Sequence, residues 1–103
     1  MRLCNVPRGV SRSRNPRAFL VSGTWPHGQL ADHYGAHVAQ ALAARLAAAI
    51  EAKGWTIAEL SRRSGVARPT IDNVLAGEVW CDLLTIANLE HALDVDLWPG
   101  RNL

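Results

Sequence analysis

The side chains best suited to directional hydrogen bonding lie close together near the middle of the chain. Arg68 can donate two hydrogen bonds to a guanine, and Asn73 can bind an adenine with one donor and one acceptor. Thr70 can touch a phosphate or a thymine methyl group, whereas Pro69 can add only apolar contact. Asp72 can accept from a cytosine amine, but phosphates repel a carboxylate, so pairing with Arg68 one turn back is at least as favourable. Arg68 and Asn73 therefore suit hydrogen bonding to nucleobase edges better than Pro69, Thr70 and Asp72 do.

Helical periodicity supplies the elements that must position these residues. Apolar side chains recur every three or four residues from Val38 to Ile50, and Gly54 ends that pattern. Asp82 is a good N-cap for a last helix whose apolar residues continue to Leu93. The predicted helices cover residues 32–52, 57–64, 68–76 and 82–93. The expected class is therefore all-α.

Two of these helices are short, and Gly65 lies in the tight turn between them. Before them, Thr56-Ile-Ala-Glu59 is typical of a capping box, in which the hydroxyl and the carboxylate each accept from a free backbone N–H. A rotation of 100° per residue divides the helix of residues 68–76 into two faces. The inward residues are Ile71, Val74 and Leu75, and the outward ones are Pro69, Asn73 and Ala76, with Thr70 and Asp72 on the flanks. The pattern predicts a helix-turn-helix.

The stretch from Gly54 to Gly77, GWTIAELSRRSGVARPTIDNVLAG, resembles the helix-turn-helix of the lambda-repressor/Cro-like (XRE) transcriptional regulators. The pattern from Leu83 to Val95 is similar to the fourth helix of that family, and with the first helix the resemblance spans roughly residues 37–98. It implies a compact four- to five-helix domain whose helix of residues 68–76 enters the major groove of DNA. The positions that match the family's base-facing ones are Arg68, Pro69, Thr70, Asp72 and Asn73.

Phosphate contacts are expected at the start of the second helix. The backbone N–H groups near Thr56 and Ile57 lie at its positive end, where an anion is favoured. Arg62 and Arg63 add charge on the exposed side, or else form an ordinary solvated face. Ile57 departs from the family, which commonly has a phosphate-binding Gln there, and Ala67 replaces the usual Ser cap.

The net charge of +2 averages two unlike parts of the chain. Residues 1–31 carry five arginines and no acid, whereas residues 32–103 carry six basic and nine acidic residues. We therefore divide the 103 residues into an irregular, flexible basic arm (1–31) and a helix-turn-helix domain (32–103). Recurrent Pro and Gly argue against regular elements in the arm, although residues 17–22 could form a strand if something paired with them. The arm is either a solvated tail or a nucleic-acid contact.

Several classes of function are not expected. No Ser/His/Asp order, phosphate-binding loop, dinucleotide fingerprint or paired-carboxylate site is present, so we expect neither an enzyme nor a cofactor. His33 and His37 lack a third fixed ligand, which disfavours a metal site. No apolar run is long enough to span a bilayer and no secretory signal precedes the domain, so a cytoplasmic location is expected, with Cys4 and Cys81 reduced.

Double-stranded DNA is the expected partner, and a homodimer is the expected state, because one such domain contacts only a few base pairs. The sequence suggests a dimer seam on the last helix and tail, around Trp80, Leu84, Leu97 and Trp98, or an exchange of residues 19–21 between chains. The expected role is a transcriptional regulator, in particular a repressor. The alternative is a protein-binding adaptor or antitoxin-like partner with weak or no DNA binding, which the acidic domain and the missing Gln favour.

Overall fold

All four predicted helices form in the computed structural model of the chain, which describes residues 14–101. A 3₁₀-helix and a two-stranded antiparallel sheet precede them. In chain order the elements are the 3₁₀-helix (Pro16–Phe19), β1 (Leu20–Ser22), β2 (Gln29–Leu30), α1 (Tyr34–Lys53), α2 (Ile57–Ser64), α3 (Arg68–Ala76) and α4 (Leu83–Leu93). The expected all-α class is confirmed, with the small sheet as an addition to it.

Helix α1 begins two residues later than predicted because His33, not an earlier residue, caps it. The His33 Nδ1 accepts a hydrogen bond from the Ala36 N–H at 3.0 Å. Gly54 ends the helix in the left-handed conformation, as predicted. One face of α1 enters the main core together with residues from every other helix. The largest fully buried apolar side chains there are Leu46, Leu60, Ile71, Leu89, Leu93 and Leu97.

Helices α2 and α3 have the predicted bounds and are joined by a tight turn. Thr56 caps α2, since its Oγ1 accepts from the Glu59 N–H at 3.1 Å. Gly65 ends α2 with φ of 78°, which L side chains rarely adopt. The Ser61 hydroxyl then donates to the Val66 carbonyl at 2.6 Å and ties the turn to α2. These local bonds fix the start of α3 relative to α2.

Helix α4 and the tail complete the core. Asp82 caps α4 through a 2.7 Å bond from the Thr85 N–H. At the other end, the Glu90 carboxylate accepts from the backbone N–H groups of Leu97 and Trp98 at 2.7 and 2.9 Å. This bend inserts Leu97 into the core, where it is fully buried. Its expected place in a dimer seam was therefore wrong.

Residues 14–31 are structured and pack against the helices, contrary to the expectation that recurrent Pro and Gly would prevent regular elements. β1 pairs with β2, with Leu20 opposite Leu30. Phe19, Leu30 and Ala36 form a second small apolar cluster, against which Trp25 and Trp80 pack. The expected irregularity was wrong for this part because contacts with distant residues stabilise it. The domain boundary at residue 31 stays a prediction, and residues 1–13 of the expected arm lie outside the described residues.

Candidate nucleic-acid interface

Helix α3 presents two chemically distinct faces. Ile71 and Val74 point into the core and are buried. The opposite face carries the residues that the sequence assigned to base contacts. Arg68, Pro69, Asp72 and Asn73 are exposed, and Thr70 is half-buried. The fold thus places all five of them on one short helix whose opposite face packs into the core.

Arg68 and Asn73, the two side chains best suited to hydrogen bonding with a base, are free to bind a partner outside the chain. Within residues 14–101, neither the Arg68 guanidinium nor the Asn73 carboxamide has a hydrogen-bonding or ionic partner. The expected ion pair between Asp72 and Arg68 does not form in the described part of the chain, so that interpretation was wrong. An exposed ion pair of this kind gains little once side-chain entropy is lost.

A cleft of about 200 Å³ lies between the exposed face of α3 and the segment that leads into α4. Thr70 and Asn73 form one wall, and Trp80 and Asp82 belong to the other. The Trp80 Nε1 donates to the Arg14 carbonyl at 3.0 Å, which fixes the chain next to this cleft. Sequence reasoning assigned Trp80 to the core or a subunit interface, because only the tertiary fold brings it beside Asn73.

The start of α2 offers backbone donors beside a paired cluster of charges. Thr56 is exposed, whereas the Ile57 side chain is half-buried against the core. As in any α-helix, the N–H groups of the first turn lack intrahelical acceptors, and at Glu59 the Thr56 hydroxyl supplies one. The backbone donors at Ile57 and Ala58 remain suited to an anion, although the Ile57 side chain cannot help.

Arg62 and Arg63 do not form a simple solvated face, because both donate to the Glu59 carboxylate. Hydrogen bonds from Arg63 and then Arg62 hold the pKa of Glu59 below its usual value. The Arg63 guanidinium also lies 4.6 Å from the centre of the Trp55 ring. The reciprocal half of the capping box was therefore wrong: the arginines, not the Thr56 N–H, occupy the Glu59 carboxylate.

The C-terminal end of α3 contacts the hairpin formed by β1 and β2 and the 3₁₀-helix that precedes it. The Trp25 Nε1 donates to the Leu75 carbonyl at 3.1 Å, and the Arg17 N–H donates to the Gly77 carbonyl at 2.9 Å. A Cβ at Gly77 would lie only 2.5–2.9 Å from three ring atoms of Trp25. The Arg17 guanidinium pairs with Glu78 at 3.4 Å, so one basic residue of the expected arm is already engaged.

A family comparison identifies the arrangement. The profile described as Helix-turn-helix matches residues 46–97, just over half of the chain. The chain belongs to this family. This helix-turn-helix family is of the XRE, lambda-repressor-like kind, so the resemblance found in the sequence is confirmed, and with it a DNA-binding regulatory domain. Comparison with curated proteins and comparison with solved structures each gave no match.

The thiol and imidazole side chains outside α3 of this helix-turn-helix protein include Cys81 and His33, and both pack against the rest of the fold. Cys81 is a free thiol, and burial, followed by the charge of Asp82, raises its pKa to about 11. The His33 ring caps α1 and stacks on Phe19, with ring centres 4.1 Å apart. Residues 14–101 contain no group of three or more His, Cys, Asp or Glu side chains placed to hold a metal ion. None of their helices has the length and apolar character needed to cross a membrane.

Proposed function

We propose that this helix-turn-helix protein binds double-stranded DNA in a sequence-specific way, acts as a homodimeric transcriptional regulator, and reads the major groove with α3. The observation that carries the proposal is the pair of faces on α3. Ile71 and Val74 anchor it in the core, while Arg68 and Asn73 are exposed and free of partners among the described residues. A major groove admits one α-helix, and such a helix must combine these two properties.

Each side chain of the exposed face receives a role in the proposal. Arg68 donates to guanine O6 and N7, and Asn73 pairs with adenine N6 and N7. Thr70 contacts a phosphate or a thymine methyl group, Pro69 makes apolar contact, and Asp72 accepts from a cytosine amine. The phosphate contacts are assigned to the backbone at Thr56 and Ile57 and to the side chains of Arg62 and Arg63.

The basic N-terminus supplies electrostatic attraction in this proposal, because residues 32–103 carry more acids than bases. Arg14 and Arg17 contribute less, since Arg14 lies over the Phe19 ring at 4.2 Å and Arg17 pairs with Glu78. Arg2, Arg8 and Arg12 precede them in the sequence and complete the positive charge of the arm. The arm function is thus assigned chiefly to residues 1–13.

Deleting residues 1–13 tests the arm by removing Arg2, Arg8 and Arg12 while leaving the sequence of the hairpin unchanged. If each of the three lost arginines neutralises one phosphate, the slope of log affinity against log salt becomes shallower by about 2.7. Fluorescence anisotropy with a labelled duplex at several salt concentrations measures that slope, and thermal unfolding checks that the fold is intact. An unchanged affinity and slope would show that the arm is a solvated tail.

The homodimer is assigned to the face around Trp98. Trp98 and Leu84 remain 53% and 69% exposed, and Leu83 is 80% exposed. Apolar clefts of about 350 and 370 Å³ share Trp98 in their walls, and the first also includes Trp80. Exposed apolar side chains beside concave apolar surfaces favour a protein interface. Two copies would read half-sites about 34 Å apart. A bound dimer would keep other proteins from the same stretch of DNA, so we propose that the protein is a repressor. We propose that it acts in the cytoplasm.

Selection of bound duplexes from a random pool tests sequence-specific reading directly. Arg68→Ala and Asn73→Ala are then measured against duplexes changed at each enriched position. We expect each variant to lose discrimination at one base pair, by about 1 to 3 kcal/mol, roughly 5- to 150-fold. Glu51→Ala, an exposed change on α1, is the matched control. Failure to enrich any sequence would refute the proposal.

Two observations favour a second candidate, a protein-binding adaptor or antitoxin-like partner. Glu59 already satisfies both Arg62 and Arg63, and a wide apolar face remains exposed around Leu83 and Trp98. Such an adaptor would bind random duplex weakly at every salt concentration, whereas a DNA-binding regulator loses affinity steeply as salt increases. A salt titration from 50 to 200 mM therefore separates the two candidates.

A further inference from the structure

We propose that Trp25 is a positioning residue that fixes the C-terminal turn of α3, and with it the side chain of Asn73. The inference rests on the proposed base reading by α3 and assigns it a determinant outside the helix-turn-helix. Trp25 lies 50 positions from Leu75 in the sequence, yet its indole N–H donates to the Leu75 carbonyl at 3.1 Å.

The contact satisfies acceptors that an α-helix leaves open. The last four carbonyls of a helix have no intrahelical donor and usually bind water or a cap. At this end of α3, the Gly77 and Glu78 N–H groups bond back to Val74 and Asn73, while Leu75 receives the indole N–H. The Arg17 N–H then closes on the Gly77 carbonyl at 2.9 Å. The hairpin, through Trp25, and the 3₁₀-helix, through Arg17, thus supply fixed donors at this end of α3.

The absence of a side chain at Gly77 makes this contact possible. The Trp25 ring packs so closely that a Cβ at Gly77 would meet its atoms at 2.5–2.9 Å. Trp25 itself packs against the cluster of Phe19, Leu30 and Ala36, which joins the hairpin to α1. The end of α3 is therefore held through Trp25 by a cluster that does not belong to the helix-turn-helix.

Position along α3 decides which contact depends on Trp25. Asn73 lies two residues before Leu75, whereas Arg68 lies seven residues before it, about 10 Å along the helix axis. A bidentate bond from a short carboxamide requires its backbone within a few tenths of an ångström, since hydrogen bonds weaken quickly with distance and angle. Arginine reaches its target through a long side chain and tolerates such shifts. Loss of the Trp25 contact should therefore impair reading by Asn73 selectively.

Trp25→Phe keeps an aromatic ring and removes the N–H donor. Duplexes changed at the two base pairs assigned by Asn73→Ala and Arg68→Ala are the readout. We expect discrimination at the Asn73 base pair to decrease about 5- to 10-fold, and discrimination at the Arg68 base pair to stay within about twofold. Affinity for random duplex and its salt slope should not change, because no phosphate contact is altered.

Two further variants make the result decisive. Phe19→Ala loosens the hairpin at its other anchor and should reproduce the same selective loss. His27→Ala changes an exposed side chain on the same hairpin that has no hydrogen-bonding partner in the described residues, and it should leave both base pairs unaffected. Urea unfolding of each variant shows whether the fold persists at the assay temperature.

The outcomes separate this inference from the function on which it rests. If the unmodified protein selects no duplex, sequence-specific binding is refuted, and the role of Trp25 with it. If it selects a duplex but Trp25→Phe weakens discrimination at both base pairs equally, or at neither, base reading stands and the positioning role of Trp25 is refuted. A general loss of stability predicts no difference between the two base pairs.

Discussion

Replacing Glu59 with Gln should release two arginines beside the proposed phosphate site. In the folded chain Arg62 and Arg63 both donate to the Glu59 carboxylate, so the three side chains carry one net positive charge, and the variant carries two. The Thr56 cap should survive, because it binds the backbone N–H of residue 59 rather than its side chain. The change is therefore electrostatic, and it lies at the start of α2.

The size of the effect follows from counterion release. Each newly neutralised phosphate adds about 0.9 to the slope of log affinity against log salt. One or two new contacts steepen the slope by about 0.9 to 1.8, an additional loss of roughly 3- to 12-fold between 50 and 200 mM salt. Arg62 should contribute more than Arg63, because the Trp55 ring, 4.6 Å from the Arg63 guanidinium, still holds that side chain.

Fluorescence anisotropy with a labelled random duplex, titrated over that salt range, measures the slope. Glu51→Gln is the matched control, since it makes the same change in net charge at an exposed position on α1, where no ion pair forms among residues 14–101. If Glu59→Gln and Glu51→Gln steepen the slope equally, net charge alone explains the result. The reasoning about released arginines is then refuted.

Three other predictions follow from the contacts around α4. Hydrogen bonds from Thr85 lower the pKa of Asp82, so the cap stabilises the fold fully above the ordinary carboxyl pKa, and this gain is lost as the pH falls from about 4 through the lowered pKa. Between pH 7 and pH 3, the free energy of urea unfolding should therefore decrease less for Asp82→Ala than for the unmodified chain. Burial raises the pKa of Cys81 from 9.0 to about 11, so at pH 8 in a Cys4→Ser background iodoacetamide should react about 100-fold more slowly with the native than with the unfolded chain; equal rates would contradict the burial. Leu97→Ala should lower the free energy of urea unfolding by about 2 to 5 kcal/mol without changing the mass measured by sedimentation, because Leu97 is buried in the core of its own chain. Unchanged stability together with loss of a dimer would instead show that Leu97 lies in the dimer interface.

Local signals in the sequence were sufficient for the helices. Thr56 and Asp82 are N-caps whose side-chain oxygens accept from a backbone N–H three residues later, and Gly65 ends α2 in a left-handed conformation. Such interactions involve neighbours in the chain, so residue type and spacing reveal them. The inward positions Ile71 and Val74 were predictable for the same reason, because helical geometry alone sets their direction.

Contacts between distant residues could not be predicted in this way. Nothing near Trp25 indicates that its indole N–H reaches Leu75, and β2 has too few residues to show a strand pattern. Glu59 could satisfy either the Thr56 N–H or the arginines one turn later, and both choices have favourable spacing. Likewise Leu97 looks like a candidate for an interface until the Glu90 carboxylate is seen to bend the tail inward.

The two ends of α3 are held unequally, and this inequality matches the side chains that they carry. Ala67 provides no side-chain cap, so fewer bonds fix the end that bears Arg68. At the other end, the Gly77 turn and the Trp25 indole both bind α3 close to Asn73. A long guanidinium side chain can correct for movement of its backbone, whereas a short carboxamide cannot.

Introducing a Ser cap at Ala67 should therefore increase the stability of the chain by about 1 kcal/mol while changing base discrimination by less than about twofold. A large change in discrimination at the Arg68 base pair would show that its end of the helix also has to be fixed for reading.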